Sequence, residues 1–209
     1  MSICVENHPF DPVLPACATA LMMGTMPPTR DKWCMPFHYP NFNNDMWRIY
    51  GKVFFDDVDY FRVGTEKRFD HHKIKRFLHK VGIGECPTVT QVIRQKGNAA
   101  DSHLSVVSTV NLKNILSLVP QVEWLFTTGG KATEILIELI NQDSTQPRLS
   151  LPKVNQCCAA KIDGRQLTIC RLPSSSRAYP QTLEKKIAAY QAFFYRAGLL
   201  PSTFDQKAP

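Results

Sequence analysis

The sequence has no run of apolar residues long enough to cross a membrane, which takes about 18 residues or more. Its first residues, MSICVENHPFDP, carry acids and prolines instead of the basic and apolar segments of a secretory signal. Seven cysteines are present, but none of them has the CxxC or other paired spacing typical of zinc or iron–sulfur ligands. These absences predict a cytoplasmic protein with no membrane association, no metal and no other cofactor. They also favour reduced, mostly buried thiols.

The composition is that of a folded, basic protein. The chain has 209 residues, of which 44% are hydrophobic and 21% charged, and these values argue against disorder. The length suits a single domain over residues 1–209, which we take to be a monomer. Lysine and arginine number 25 against 18 acidic residues, so the net charge is +7. This charge favours an anionic partner, with nucleic acid as the first candidate.

Patterns that favour strands alternate with patterns that favour helices. Residues 18–24 and 122–128 are short apolar runs, and a hairpin signal at Asp163-Gly164 separates strands predicted over 157–162 and 166–172. Two further segments are predicted to lack regular structure: an irregular stretch over 1–15 and a surface connection over 56–70. Helices are predicted after a cap at Asn43 or Asn44, over 71–80, from Leu112, after Gly130 and from Leu183. Residues 83–96 are predicted to form a short strand and then a short helix. The alternation predicts an α/β fold with a mostly parallel sheet and helices on both faces.

Three loops leave the carboxyl ends of predicted strands, over residues 24–44, 128–131 and 173–179. These ends share one edge of a parallel sheet, where ligands bind, so we expect the loops to meet at one site. The first loop interleaves aromatic and basic side chains: Arg30, Lys32, Trp33, Phe37, His38, Tyr39 and Phe42. Such a mixture is typical of surfaces that stack on a flipped or single-stranded base. Packing of the aromatic rings over the sheet edge is the alternative.

Polar residues of the same loops have two interpretations each. Asn43 and Asn44 either cap the following helix or orient a water or a base with an amide. The second loop, TTGGK, lacks the spacing of a triphosphate-binding motif. The serines of the third loop, followed by Arg177 and Tyr179, suit phosphate contacts or a wedge into a duplex, and no G-x-S-x-G elbow makes them nucleophiles. The histidines at 71, 72 and 79 lack companions for a metal.

Taken in order, LMMGTMPP, YPNFNNDMWRIYG, LFTTGGKATE and RLPSSSRAYP resemble the motifs of the uracil-DNA glycosylase superfamily. The most similar branch is that of the mismatch-specific and hypoxanthine-type glycosylases. The resemblance covers about residues 8–196. It implies a three-layer α/β/α sandwich with a central four-stranded, mostly parallel sheet, and a monofunctional enzyme of DNA base-excision repair.

The resemblance also implies roles for single residues. Gly24, Thr25, Met26 and Pro27 match the first motif, whose backbone lines the base pocket and the water site. Asn44 matches the asparagine that positions the hydrolytic water, and Asn43 remains an alternative. The remaining matches are Phe37, His38 and Tyr39, one of which would stack on the flipped base, and a DNA-contacting segment formed by Pro173, Ser174, Ser175 and Ser176, next to Arg177.

Two departures from the family pattern bear on specificity. Thr128 stands where related sequences often carry an asparagine that reads the base edge, so the excised base stays open. The first motif lacks the aspartate of the most active branches, which predicts modest activity on uracil. Two other functions remain: a DNA-binding protein without catalytic activity on the same fold, and a hydrolase of free nucleosides, against which the basic charge argues.

Overall fold

The computed structural model describes residues 4–95, 104–142 and 147–201. Within these ranges the helices are α1 Met46–Phe55, α2 His71–Val81, α3 Leu112–Leu118, α4 Gly130–Asn141 and α5 Leu183–Arg196, with a short 3-10 helix at Arg30–Lys32. The strands are β1 Val5–Asn7, β2 Ala20–Gly24, β3 Ile83–Pro87, β4 Val89–Arg94, β5 Leu104–Thr109, β6 Trp124–Thr128, β7 Cys157–Ile162 and β8 Arg165–Leu172. None of the helices in the described ranges is long and apolar enough to span a membrane.

The main sheet is mixed and mostly parallel, as the alternation predicts. Its order is β3-β2-β6-β8-β7, in which the first four strands are parallel and β7 is antiparallel to β8. The sheet therefore has five strands instead of the four that the resemblance implies. The additional strand is β7, which the turn at Asp163 and Gly164 folds back onto β8; both turn residues have positive φ.

Helices pack against both faces of this sheet, because successive side chains of a buried strand point to opposite sides. Ala20 and Met22 join a hydrophobic cluster with α1, α2 and α5, whereas Leu21 and Met23 join a second cluster with α3 and α4. A separate three-stranded antiparallel sheet, in the order β1-β4-β5, lies beside the first loop. Arg94 of β4 connects this small sheet to the first loop, since its guanidinium donates to the Glu6 carboxylate of β1 and to the Pro27 carbonyl of the loop.

Four local predictions are wrong. In the range predicted as 83–96, the described residues 83–95 contain strands β3 and β4 and no helix. Within residues 1–15, the chain forms β1, and Val13 bridges to Glu85. Residues 56–70 are not all surface, because the aromatic rings of Phe61 and Phe69 are fully buried. Helix α1 begins at Met46, after Asp45, and neither Asn43 nor Asn44 is its first flanking residue.

The expectation of reduced, mostly buried thiols is also wrong. Cys157 and Cys170 form a disulfide between β7 and β8. The two residues are equidistant from the turn at residues 163–164, so the hairpin register places them directly opposite each other. Of the free cysteines, Cys86 is buried but Cys4 and Cys17 are exposed.

Candidate functional site

The carboxyl edge of the parallel strands carries a pocket of about 260 Å³. The strand register explains the convergence, because Gly24 of β2 lies beside Pro87 of β3, and Thr128 of β6 lies beside Leu172 of β8. The first and third loops, with Thr128 at the end of β6, therefore meet at one edge. The lining residues are His8, Phe10, Gly24, Thr25, Met26, Pro27, Pro28, His38, Tyr39, Asn41, Asn43, Asn44, Glu85, Thr128, Ser174, Ser175, Ser176 and Arg177.

Most of the site residues predicted from the sequence line this pocket, but two do not. Phe37 is buried in the hydrophobic cluster on the α1 side, where its ring packs against Trp47. Pro173 is buried too, and its carbonyl accepts a hydrogen bond from the Tyr190 hydroxyl at 3.0 Å. Two further aromatic candidates also point elsewhere: Trp33 packs on Phe10, and Phe42 stacks against the Arg48 guanidinium.

Asn44 lies on the pocket wall with its side chain fixed. Its Oδ1 accepts a hydrogen bond from the backbone N–H of Met46 at 2.9 Å. A carbonyl oxygen has two lone pairs, so Oδ1 retains one that can accept from a water. Its backbone is held as well, because its N–H donates to the Asn41 carbonyl and its carbonyl accepts from Arg48. Asn43 also lines the pocket but is exposed.

Tyr39 connects the first loop to the end of β6. Its hydroxyl and that of Thr128 are 2.6 Å apart, a hydrogen bond in which either oxygen can be the donor. Tyr39 adopts φ of 50°, in the left-handed region. A Cβ on Gly24 would lie 2.8 Å from the Tyr39 hydroxyl, so the glycine leaves the space that this ring occupies. The hydroxyl of Thr128 is thus committed to Tyr39 in this structure.

The third loop is fixed by charges that are themselves buried. Lys186 of α5 is almost fully buried, and its ammonium donates to the Asp45 carboxylate at 2.9 Å and to the Ser176 carbonyl at 2.7 Å. The backbone N–H of Asp45 donates to the Ser175 carbonyl, and the same carboxylate accepts from Arg177 at 3.1 Å. Asp45, directly before α1, and Lys186 of α5 therefore hold residues 175–177 in place beside Asn44.

One wall of the pocket consists of rings from distant parts of the chain. His8 and His38 stack with centroids 5.8 Å apart, and Phe10 packs against both. His38 Nε2 lies 3.0 Å from the Asp11 carbonyl, which can only accept, so Nε2 carries the hydrogen. Burial lowers the pKa of His38 to about 4 and also lowers the pKa of His8. Both rings are therefore neutral near pH 7.

Glu85 of β3 is a lining residue that the sequence analysis does not identify. Its side chain is almost fully buried, and burial raises its pKa well above the usual range. A carboxylic acid inside the apolar run IGECP is the signal that identifies it, once that run is known to be a strand. His8 and Phe10 give no comparable signal, because the long-range pairing of β1 with β4 brings their segment to the sheet.

The described residues contain no group of three or more histidine, cysteine or acidic side chains that could hold a metal ion. His71 and His72 pack against each other at the start of α2, away from the pocket lining. Arg30 and Lys32 are exposed on the 3-10 helix, and Lys131 pairs with Glu134 of the same helix. In the described part of the chain, Arg177 is the cationic residue at the pocket rim.

A comparison with solved structures found a protein of the same fold. That protein, from Methanosarcina acetivorans, was determined by solution NMR and is provisionally described as a uracil DNA glycosylase. It matches with a TM-score of 0.62 and 18% sequence identity, over 93% of this chain and 99% of its own. No protein-family model and no curated protein sequence matches the chain. The likeness shows that the two proteins share a fold over nearly the whole of both chains.

Proposed function

We propose that the protein is a monofunctional DNA glycosylase that hydrolyses the N-glycosidic bond of a deaminated or mismatched base, such as uracil or hypoxanthine. The observation that carries this proposal is the pocket at the carboxyl edge of the sheet, where the anchored Asn44 amide of the first loop lines the same cavity as the third loop. The similar fold of a protein described as a uracil DNA glycosylase supports it. So do the hydrophobic clusters on both faces of the sheet, which agree with the three-layer arrangement of that superfamily.

In the proposed mechanism the base is flipped out of the duplex into the pocket. Flipping costs a few kcal/mol, and least for a mismatched base. As the glycosidic bond breaks, the sugar gains positive charge and the base leaves as an anion. Asn44 Oδ1 accepts a hydrogen bond from the attacking water, and backbone N–H groups of residues 24–26 stabilise the departing base. His38 or Tyr39 supplies a flat face for the base.

The remaining parts of the proposal concern the partner and its binding. Ser174, Ser175, Ser176 and Arg177 contact the DNA strand beside the lesion, and the net charge of +7 favours the polyanion. Binding should weaken with salt, with a log–log slope of about −0.9 for each phosphate contact. The protein acts as a cytoplasmic monomer with one domain and needs no cofactor.

The experiment that tests the proposal is a gel assay with labelled duplexes containing one uracil, hypoxanthine, xanthine or mismatched thymine. Bands that appear only after hot alkali establish a monofunctional glycosylase and name its base. Bands without alkali show strand cleavage and contradict the mechanism. A mobility shift without base release would instead favour a DNA-binding protein without catalytic activity. Two features of the sequence favour that alternative: the threonine at 128 and the absence of an acidic residue in the first motif.

Substitution of Asn44 tests the assigned water-positioning role. We expect Asn44→Ala to lower the single-turnover rate by about 10²-fold or more, because a polar group that positions the nucleophile is removed. Asn43→Ala is the matched control, since it lies on the same wall but is exposed, and it should retain a rate within about threefold of the parent. The reverse result would assign the water to Asn43.

A further inference from the structure

Glu85 is an acidic residue that the proposed mechanism does not use. Its side chain, in the middle of β3, is about 2% exposed, and it lines the pocket. Its Oε2 is buried and has no hydrogen-bond partner among the described residues. A buried polar atom without a partner is costly and rare in native proteins, so an atom of this kind on a residue that lines a pocket points to a missing partner group.

Among the described residues, no positive charge acts on Glu85. His38 Nδ1 lies 3.7 Å from Oε1, too far for a hydrogen bond, and this nitrogen carries no hydrogen because Nε2 donates to Asp11. From α1 and α5, the hydroxyls of Tyr50 and Tyr190 donate elsewhere, to the Met22 sulfur and to the Pro173 carbonyl. Burial without a cation raises the pKa of Glu85 well above its usual value, which favours the neutral carboxyl with an O–H to donate.

We propose that Glu85 is a specificity-determining residue that donates a hydrogen bond from Oε2 to the oxo group that deamination leaves on a base. This group is O4 in uracil and O6 in hypoxanthine, whereas cytosine and adenine carry an amino group at the same position. The proposal rests on the proposed function, because it places a flipped base in this pocket. No proton is transferred: the hydrogen stays on Oε2 and forms a hydrogen bond that satisfies the buried oxygen.

The same hydrogen bond assists the reaction. A base that leaves as an anion accumulates charge on its oxo groups, so a donor there binds the transition state more tightly than the ground state. An ionised carboxylate would instead repel the leaving base. Activity therefore requires the neutral acid, and the preference for a deaminated base and the rate depend on the same hydrogen.

The test compares Glu85→Gln with Glu85→Leu on duplexes that contain uracil or hypoxanthine. The glutamine amide can donate to the oxo group, so we expect a single-turnover rate within about tenfold of the parent at pH 7. The leucine variant should lose about 10²-fold or more. Glu123→Gln and Glu123→Leu are the controls, since Glu123 is exposed. Equal rates for the parent and a folded Glu85→Leu, or inactivity of a folded Glu85→Gln, would overturn the proposal.

The pH profile separates a hydrogen-bond donor from a purely structural residue. The rate of the parent enzyme should fall at alkaline pH as Glu85 ionises, while the rate of Glu85→Gln should not, because an amide does not titrate. Identical alkaline limbs for the two proteins would show that Glu85 does not contact the reacting base.

Binding of free bases distinguishes failure of this inference from failure of the proposed function. Calorimetric titration uses hypoxanthine and, as the matched probe without an oxo group, purine. The parent should bind hypoxanthine about tenfold more tightly, and Glu85→Leu should lose the difference. If no duplex releases a base but this preference holds, the glycosylase proposal fails and the inference stands. If bases are released but neither rate nor binding depends on Glu85, the inference alone fails.

Discussion

The two faces of the main sheet are built from different residues. The cluster under α1, α2 and α5 contains ten buried aromatic residues: Phe37, Trp47, Tyr50, Phe61, Phe69, Phe77, Phe126, Tyr190, Phe193 and Phe194. The cluster under α3 and α4 contains no aromatic residue among its buried members and consists of aliphatic side chains with Met23 and Cys86. We call these the aromatic face and the aliphatic face.

The buried acidic and basic residues follow the same division. Asp45 directly precedes α1, Arg48 lies on α1, and Lys186 lies on α5. Glu85 shares the side of β3 that carries Ile83 of the aromatic cluster. On the aliphatic face, the hydroxyls of Thr127 and Thr133 form a neutral hydrogen bond at 2.7 Å. The pocket lies at the edge of the aromatic face, where burying polar groups costs stability. We infer that one face positions the site and the other chiefly stabilises the sheet.

The largest expected effect comes from breaking the buried ion pair of the aromatic face. Lys186→Met removes the cation that holds Asp45 and the Ser176 carbonyl, and leaves a buried carboxylate with only Arg177. We expect the free energy of unfolding to fall by about 3–5 kcal/mol, and base release to fall with it because the third loop loses its anchor. Urea denaturation measures the first effect and the gel assay the second.

Lys185→Met is the matched control for that experiment, because Lys185 is the neighbouring residue but is exposed. Its free energy of unfolding should stay within about 0.5 kcal/mol of the parent. Equal unfolding midpoints for the two variants would show that the buried pair does not stabilise this face.

A truncation on the aliphatic face should affect stability without affecting the site. Leu136 of α4 is fully buried in that cluster, so Leu136→Ala should lower the free energy of unfolding by about 3 kcal/mol. The rate of base release measured well below the unfolding midpoint should be unchanged. Leu118→Ala is the control, since that side chain is 64% exposed. A selective loss of activity in folded Leu136→Ala would show that the aliphatic face also shapes the pocket.

The pH dependence of stability sharpens the comparison, because His38 and Glu85, which both line the pocket, should change the free energy of unfolding with pH in opposite directions. Burial lowers the pKa of His38 from 6.5 to about 4, so the unfolded chain binds more protons in that range and stability rises with pH. Burial raises the pKa of Glu85 above 4.5, so the folded chain holds the extra proton and stability falls with pH. Between pH 4.5 and 6.5 the two groups therefore contribute to the free energy of unfolding with slopes of opposite sign.

Single substitutions should reveal the two slopes. Over that pH range and relative to the parent, the free energy of unfolding of His38→Gln should fall as the pH rises, and that of Glu85→Gln should increase. Leu136→Ala should keep the shape of the parent curve at a lower value. Chemical denaturation at a series of pH values measures all four proteins. Parallel curves for His38→Gln and Glu85→Gln would contradict the assigned protonation states.

The meeting of the loops was predictable from sequence, because it depends on local patterns. Apolar runs identify β2 and β6, the hairpin signal identifies β8, and parallel strands bring Gly24, Thr128 and Leu172 to one edge. The assignment of Asn44 came from its position in a motif, and its functional role stays a prediction. These inferences need only strand order and chain direction.

Contacts between distant residues could not be predicted in this way. Lys186 and Asp45 are separated by 141 positions, and nothing local to either residue indicates the pairing. Glu85 was missed because a short apolar run predicts a strand and a buried helix segment equally well. The charged neighbours of Phe61 and Phe69 in the sequence predict a surface position, although both rings are buried.

The smallest expected effect concerns the contact between Tyr39 and Thr128, where the aromatic face reaches the pocket. Tyr39→Phe keeps the ring but removes one partner of the 2.6 Å hydrogen bond with Thr128. A neutral hydrogen bond contributes about 1 kcal/mol to stability, so the free energy of unfolding should fall by about that amount and base release should slow by about fivefold at most. Tyr195→Phe, at an exposed position of α5, is the control for the substitution itself. A loss of about 10²-fold would mean that the Tyr39 hydroxyl contacts the reacting base, which would add an oxygen of the aromatic face to the catalytic groups.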